Sequence, residues 1–215
     1  MMALPFLLAS GAFWVATYLL IIRRGWLDRT FGMPLVALCA NLSWEFIFAF
    51  VFPQRAPQVY VNAAWFAFDL LILLELLRFG AAEFPHLPRR GFYGLFALAL
   101  VVSFGAVLFV TIEFDDYRDG AYSAFGQNLM MSALFVDMLL RRRSVRGQSL
   151  YIALCKLIGT GLVSFAGWFI FRPLSASSSV LLPYLYVAIA ALDALYVVLL
   201  YRQCRREGIN PWQRL

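Results

Sequence analysis

Seven long apolar runs follow one another along this chain of 215 residues, and only short polar connections separate them. Each run is close to the roughly 20 residues that a helix needs to cross a hydrocarbon core of about 30 Å. Of all residues 63% are hydrophobic and 14% are charged, more apolar surface than a soluble core could bury. The sequence therefore predicts an all-α integral membrane bundle of seven transmembrane helices. The predicted spans are 3–22, 33–52, 60–79, 92–112, 121–140, 151–171 and 180–200.

Arginines alternate between the two sides of this predicted bundle. The first, third and fifth connections and the C-terminal tail carry three, three, four and four arginines, whereas the second, fourth and sixth carry one each, Arg55, Arg118 and Arg172. Because basic loops stay in the cytosol, we expect the N-terminus outside and the C-terminus cytosolic. The whole chain, 1–215, then forms a single seven-helix transmembrane domain. Its membrane would be the plasma membrane in a bacterium or the endoplasmic reticulum in a fungus.

The basic residues and the cysteines exclude several other classes. A sequence pI of about 9.5 would suit a nucleic-acid partner, but the arginines lie in short loops between apolar spans rather than on one soluble face. Cys39, Cys155 and Cys204 have neither disulfide nor metal-ligand spacing. We therefore expect a lipid bilayer as the surroundings, no nucleic acid, no metal and no cofactor.

Ionisable residues inside the spans are costly in a bilayer and are therefore functional or paired. Glu75, Asp137 and Lys156 fall near the predicted cytosolic boundary, where ion pairing or snorkelling would account for them. Glu45 and Asp193 lie about 10 Å or more inside their spans at about 1.5 Å per residue, with no obvious cation at their depth. Such surroundings favour the neutral acid, so each could hold a proton for donation. The alternative is that each carboxyl simply joins neighbouring helices by hydrogen bonds.

Helical spacing gives each deep acid a set of neighbours on its own face. In the second span Asn41 could orient Glu45 through a hydrogen bond, and aromatic faces such as those around it can stabilise a carbocation. In so aromatic a chain the same pattern also arises by chance. Asp69 in the third span and the outer pair Gln127 and Asn128 are either supporting donors or helix contacts. The faces comprise Asn41, Trp44, Glu45, Phe48 and Phe52 in the second span, and Tyr186, Asp193 and Tyr196 in the seventh.

Several segments between about residues 35 and 200 together resemble the integral-membrane terpene cyclases of fungal meroterpenoid and indole-diterpene pathways and their bacterial relatives. Asn41-Leu42-Ser43-Trp44-Glu45, with an Asp in the last span, is the most specific combination. The other matching pieces are Trp65-Phe66 with Asp69 and Gly80, Gln127-Asn128-Leu129-Met130-Met131-Ser132, Arg143-Ser144 with Gly147-Gln148-Ser149, and Lys156 with Gly159-Thr160.

The resemblance implies a small seven-helix cyclase in which Glu45 and Asp193 are the essential acids. Protonation of a terminal epoxide or alkene on a prenylated, hydrophobic small molecule would start a series of ring closures without a metal. Whether Asp193 donates the proton, partners Glu45 or removes the last proton stays open. The predicted substrate-binding and supporting residues are Asn41, Trp44, Phe48, Trp65, Asp69, Gln127, Asn128, Tyr186 and Tyr196.

Three other functions were weighed against this one. A small proton-coupled transporter or receptor would also carry buried Glu and Asp side chains. A Mg²⁺-dependent intramembrane prenyltransferase is suggested by the run Asp115-Asp116-Tyr117-Arg118-Asp119, which reads Asp-Asp-x-x-Asp, although it occurs once and in a loop expected outside. A retinal protein is excluded because the only lysine, Lys156, is not in the last span.

Overall fold

The computed structural model describes residues 3–171 and 179–215, so Arg172 of the predicted sixth connection lies outside the described residues. All regular secondary structure in the described part is helical, which confirms the all-α prediction. The helices are α1 Leu4–Asp28, α2 Leu35–Phe46 with a π-helical turn Ile47–Val51, α3 Gln58–Phe79, α4 Arg89–Glu113, α5 Ala121–Arg142, α6 Leu150–Ala166 with a second π turn Gly167–Phe171, and α7 Leu181–Arg206.

Six of these helices are long and apolar enough to cross a membrane, and the helix Leu35–Val51 is apolar but shorter. Pro34 stands immediately before this shorter helix and Pro53 follows soon after its end, and proline resists incorporation in a helix interior. Because this helix is shorter than the other six, the seventh span stays a prediction. The orientation of the bundle in the membrane also stays a prediction.

Local sequence explains where several helices begin and end. Pro5 stands in the first turn of α1, where a missing N–H costs nothing. The side chain of Ser149 caps α6 by accepting a hydrogen bond from the Ile152 amide at 3.3 Å. Gly120, with φ of 61°, precedes α5, and Arg143 ends it in the left-handed conformation.

The helices pack as a ring with α4 outside it. α1 packs against α3 and α6, α2 against α3 and α5, and α7 against α5 and α6, while α4 lies chiefly against α2. The main core joins apolar residues of α1, α2, α3, α5, α6 and α7. The polar side chains of α1, α2, α3 and α5 consequently meet inside the ring.

Candidate active site

Glu45 lies one residue before the end of α2 and is 1% exposed. The Tyr18 hydroxyl of α1 donates to its Oε1 at 2.5 Å, and the Asn41 amide donates to the same oxygen at 3.1 Å. The predicted hydrogen bond between Asn41 and Glu45 is thus present. The sequence did not indicate the contribution of Tyr18 from another helix.

Asp69 of α3 is a second carboxyl in this environment. The nitrogen of Asn41 that donates to Glu45 also donates to Asp69 Oδ2 at 2.8 Å, so one amide contacts both carboxyl groups. The other oxygen of each carboxyl, Glu45 Oε2 and Asp69 Oδ1, has no hydrogen-bond partner among the described residues. We call Tyr18, Asn41, Glu45 and Asp69 the acid cluster.

A cavity of about 110 Å³ adjoins the acid cluster. Five of its eleven lining residues are aromatic. Four polar atoms of the lining residues have no hydrogen-bond partner among the described residues: Glu45 Oε2, Trp65 Nε1, Gln127 Oε1 and Asn128 Oδ1. Such convergent polar groups in an apolar pocket are typical of ligand sites. The lining residues are Trp14, Tyr18, Asn41, Trp44, Glu45, Trp65, Ala124, Phe125, Gln127, Asn128 and Met131.

Six of the predicted site residues line this cavity: Asn41, Trp44, Glu45, Trp65, Gln127 and Asn128. Trp14 and Tyr18 were missed because the first apolar run was interpreted only as a span. Their spacing of four residues, which puts two rings with polar tips on one face of the helix, was the available signal.

Phe48, Tyr186 and Tyr196 were predicted near the substrate but do not line the cavity. Phe48 packs against Trp44 with ring centroids 4.8 Å apart and planes tilted by 39°, and its ring lies where a side chain at Gly120 would be. Tyr186 packs against the wall residue Phe125 from outside, at 4.6 Å between ring centroids. The Tyr196 hydroxyl donates to Gln148 Oε1 at 2.8 Å.

Asp193 does not line the cavity either, and the expectation that no cation reaches it is wrong. Lys156 Nζ contacts Asp193 Oδ1 at 2.7 Å and Oδ2 at 3.0 Å, with both side chains 1% exposed. From the predicted span ends, Lys156 lies five residues deep and Asp193 seven, which differ by only about 3 Å at ~1.5 Å per residue. Depth allowed the pair, but the sequence did not reveal that α6 and α7 are neighbours.

The other two charged residues near the predicted boundary have different surroundings. Asp137 pairs with Arg141 at 2.8 Å on an exposed surface, which confirms the expected ion pairing. Glu75 is fully buried against Gly25 of α1 and has no ion pair in the described part of the chain.

The aspartate-rich run lies between α4 and α5, and one of its carboxyls is used locally. Asp116 accepts a hydrogen bond from the Tyr122 amide at 2.7 Å, in the first turn of α5. Partial burial raises the pKa of Asp116 to about 6, against the lowering effect of that hydrogen bond. Among residues 3–171 and 179–215, no three His, Cys, Asp or Glu side chains are grouped to hold a metal ion.

The chain is similar in sequence to proteins of one known family. The family model of the Pyr4-like transmembrane terpene cyclases matches residues 2–206. The Pyr4-family terpene cyclase mfmH of Annulohypoxylon moriforme is 33% identical over 159 residues, which are 72% of this chain and 65% of that protein. The terpene cyclase pyr4 of Aspergillus fumigatus is 27% identical over 157 residues, with the same two shares.

A third relative matches over a longer stretch. The terpene cyclase olcD of Penicillium canescens is 30% identical over 209 residues, covering 94% of this chain and 84% of that protein. The first two matches cover just under two thirds of the relatives' own length. No solved structure matches the chain.

Proposed function

Because this chain belongs to the Pyr4-like transmembrane terpene cyclases, we propose that it cyclises the prenyl chain of a terpenoid, meroterpenoid or indole substrate within the membrane. The observation that carries the proposal is the acid cluster beside an aromatic cavity. A buried carboxyl pair that retains a proton is the group that acid-initiated cyclisation requires. Aromatic faces around it suit the cationic intermediates that follow.

In the proposed reaction Glu45 is the proton donor. Its O–H bond breaks and the proton passes either to the oxygen of a terminal epoxide, whose C–O bond then opens, or to a terminal alkene carbon. The next alkene supplies the electron pair that closes each ring. The last cation loses a proton to a base, so the reaction consumes no proton overall. The Asn41 amide donates to both carboxyls, so it orients Glu45 and stabilises the carboxylate that remains after proton transfer.

The aromatic wall has two roles in this proposal. Trp14, Trp44, Trp65 and Phe125 surround the cation with ring faces and exclude water that would capture it early. The cavity is smaller than the roughly 300–1,000 Å³ of most ligand sites, so it holds the reacting end of the prenyl chain rather than the whole substrate.

The topology of the enzyme is part of the proposal. The shorter helix Leu35–Val51 acts as the seventh span, the N-terminus is outside, the C-terminus is cytosolic, and 1–215 is one domain. The alternation of arginines between connections supports this orientation. The membrane is then the plasma membrane of a bacterium or the endoplasmic reticulum of a fungus.

The test is turnover by purified protein in detergent. Farnesylated and geranylgeranylated aromatic or indole acceptors, with and without a terminal epoxide, should give products of unchanged mass with fewer double bonds by NMR. Glu45→Gln should lower turnover at least 100-fold, because it keeps the shape and removes the acid. The matched control is Asp137→Asn, which alters an exposed carboxyl of α5 and should leave turnover unchanged.

Three results would contradict the proposal. Wild-type turnover by a folded Glu45→Gln protein would remove Glu45 as the donor. Proton-coupled uptake by sealed vesicles without any cyclised product would indicate a transporter. A prenyl transfer that releases diphosphate and stops on addition of EDTA would indicate a prenyltransferase.

A further inference from the structure

Lys156, the only lysine of the chain, is buried between three helices. Its ammonium group lies 2.6 Å from Ser132 Oγ of α5 and 2.7 and 3.0 Å from the two carboxylate oxygens of Asp193 of α7. An ammonium group has three hydrogens, so these three acceptors satisfy it completely. Its contacts join α5, α6 and α7.

A buried ion pair of this kind adds little stability compared with apolar residues of the same size, because the desolvation cost offsets the attraction. Its particular effect is directional, since it fixes the positions of the groups that it contacts. The relevant question is therefore which side chains lie on the other side of those groups.

Those side chains belong to the cavity wall. Ser132, which Lys156 contacts, donates to the backbone oxygen of Asn128 one turn earlier in α5, at 2.9 Å. Asn128 Nδ2 donates to Thr160 Oγ1 of α6 at 3.0 Å. Asn128 Oδ1 is then a buried acceptor at the cavity, and no residue of 3–171 or 179–215 donates a hydrogen bond to it. Lys156 Nζ also lies 6.0 Å from the ring centroid of Trp14, a second wall residue.

A glycine permits the close approach of Trp14. Gly159 directly precedes Thr160 in α6, and a Cβ at this position would come within 3.1 Å of the Trp14 ring. The Ser10 hydroxyl of α1 donates to the Gly159 oxygen at 2.7 Å, so α1 and α6 are held together at this level.

We propose that Lys156 is a positioning residue of the active site and that Asp193 acts through it, as its counter-ion, rather than as an acid that contacts the substrate. This inference rests on the proposed cyclase function. The pair holds α5 and α6 so that Asn128 presents its oxygen to the substrate and Trp14 completes the aromatic wall. Loss of either charge then disturbs the same wall.

The test compares four full-length proteins in detergent: wild type, Lys156→Gln, Asp193→Asn, and the double variant with both changes. Each single variant leaves one polar partner unmatched and should lower kcat at least 10-fold and change the ratio of cyclised products. The double variant replaces the ion pair by an amide pair and should return to within about 10-fold of wild type. Asp137→Asn is again the control for loss of a carboxylate.

A folded double variant that is as inactive as Asp193→Asn would overturn the proposal, because an acid that contacts substrate cannot be rescued by changing Lys156. Wild-type turnover and product ratio in Lys156→Gln would also overturn it. If these proteins do not fold, the double variant Lys156→Met with Asp193→Leu replaces them, because it removes both charges. Measurable cyclisation by this variant supports the proposal. A folded protein without turnover contradicts it.

A second readout separates this proposal from the proposed function. Amide hydrogen exchange over 121–142, the α5 segment that carries Asn128 and Ser132, should rise in each single variant and fall again in the double variant. Unchanged exchange in Lys156→Gln contradicts the positioning role whether or not cyclisation is observed. Absence of turnover in the wild-type protein contradicts only the proposed function.

Discussion

Tyr18 connects two parts of the acid cluster through a single oxygen. It accepts from Asn41 at 2.5 Å and donates to Glu45 at 2.5 Å, while its ring lies 6.3 Å from that of Trp65 on the cavity wall. A hydroxyl that donates to Glu45 stabilises the carboxylate that remains after proton transfer. Tyr18 therefore contributes to catalysis through its hydroxyl and to the wall through its ring.

Tyr18→Phe separates these two contributions, because it removes the oxygen and keeps the ring. A hydrogen bond to a charged group contributes about 1.5–3 kcal/mol, so we expect kcat to fall about 10- to 100-fold with little change in thermal stability. The measurement is turnover of purified protein beside its melting curve. Tyr60→Phe, at a tyrosine that is 72% exposed, is the matched control. Equal turnover in both variants would exclude a role for the hydroxyl.

At the scale of elements, the end of α2 and the start of α5 form one contact. The indole of Trp44 donates to the Gly120 oxygen at 3.1 Å, and the ring of Phe48 lies where a side chain at Gly120 would be. The π turn at Ile47–Val51 places Phe48 there, since the amide of Phe52 bonds to the Ile47 oxygen five residues earlier, at 2.7 Å. This contact holds Trp44 on the cavity wall.

Gly120→Ala should weaken the contact. The position has φ of 61°, and a methyl group there would overlap the ring of Phe48. We expect a loss of about 1–3 kcal/mol in the free energy of unfolding, seen as a lower melting temperature in detergent. Gly126→Ala within α5 is the control, because a methyl group there meets nothing within 4 Å. Similar melting temperatures for the two variants would contradict this account.

The connection between α4 and α5 should make stability depend on pH. Burial raises the pKa of Asp116 to about 6 from its ordinary 3.8. Between these values the folded chain binds a proton that the unfolded chain has released, so this contribution to stability is complete below about pH 4 and is lost as the pH rises through 6. Asp116→Asn removes the titration. The stability of this variant relative to wild type should therefore be greater at pH 7 than at pH 4. Melting temperatures across this range test it, with Asp115→Asn as control; a constant difference would contradict it.

At the scale of the whole molecule, Asp28 joins distant parts of the chain at one end of the bundle. Its carboxylate accepts from Arg24 of α1, from the Gly147 amide before α6 at 2.7 Å, and from Arg214 of the tail at 2.5 Å. Arg214 also donates to the backbone oxygens of Gln148 and Val145. One carboxylate thus fixes α1, the α5–α6 connection and the tail together.

Asp28→Asn should destabilise this end of the bundle as a unit. It leaves Arg24 and Arg214 beside each other without their shared anion, at a site that is 14% exposed. We expect a loss of about 1–3 kcal/mol, less than the 3–5 kcal/mol of a fully buried pair. Thermal unfolding and protease cleavage of the tail provide the measurements. Glu113→Gln, at the opposite end of the bundle, is the control, and an unchanged melting temperature in Asp28→Asn would contradict the role.

Some conclusions required only local sequence. The length and apolarity of each run predict a membrane helix, because a backbone in hydrocarbon must satisfy its hydrogen bonds within the helix itself. The spacing of four residues between Asn41 and Glu45 predicts their contact, because residues four apart are neighbours on one face of a helix. Glu45 was accordingly identified as a buried acid beside aromatic rings, and six of the predicted site residues do line one cavity.

Other relations depend on which helices are neighbours, and no local pattern encodes that. Asp69 was expected mid-span, but only the packing of α3 on α2 brings it to Asn41, the amide that also contacts Glu45. A partnership of Asp193 with Glu45 was one of the roles left open by the sequence, and the packing of α7 on α6 pairs Asp193 with Lys156 instead. The sequence by itself determined a bundle of apolar helices with acids inside it. The tertiary structure decided which acid lies beside the cavity and which is neutralised by a cation, because a charge in a low-dielectric interior depends on the few groups within a few ångströms of it.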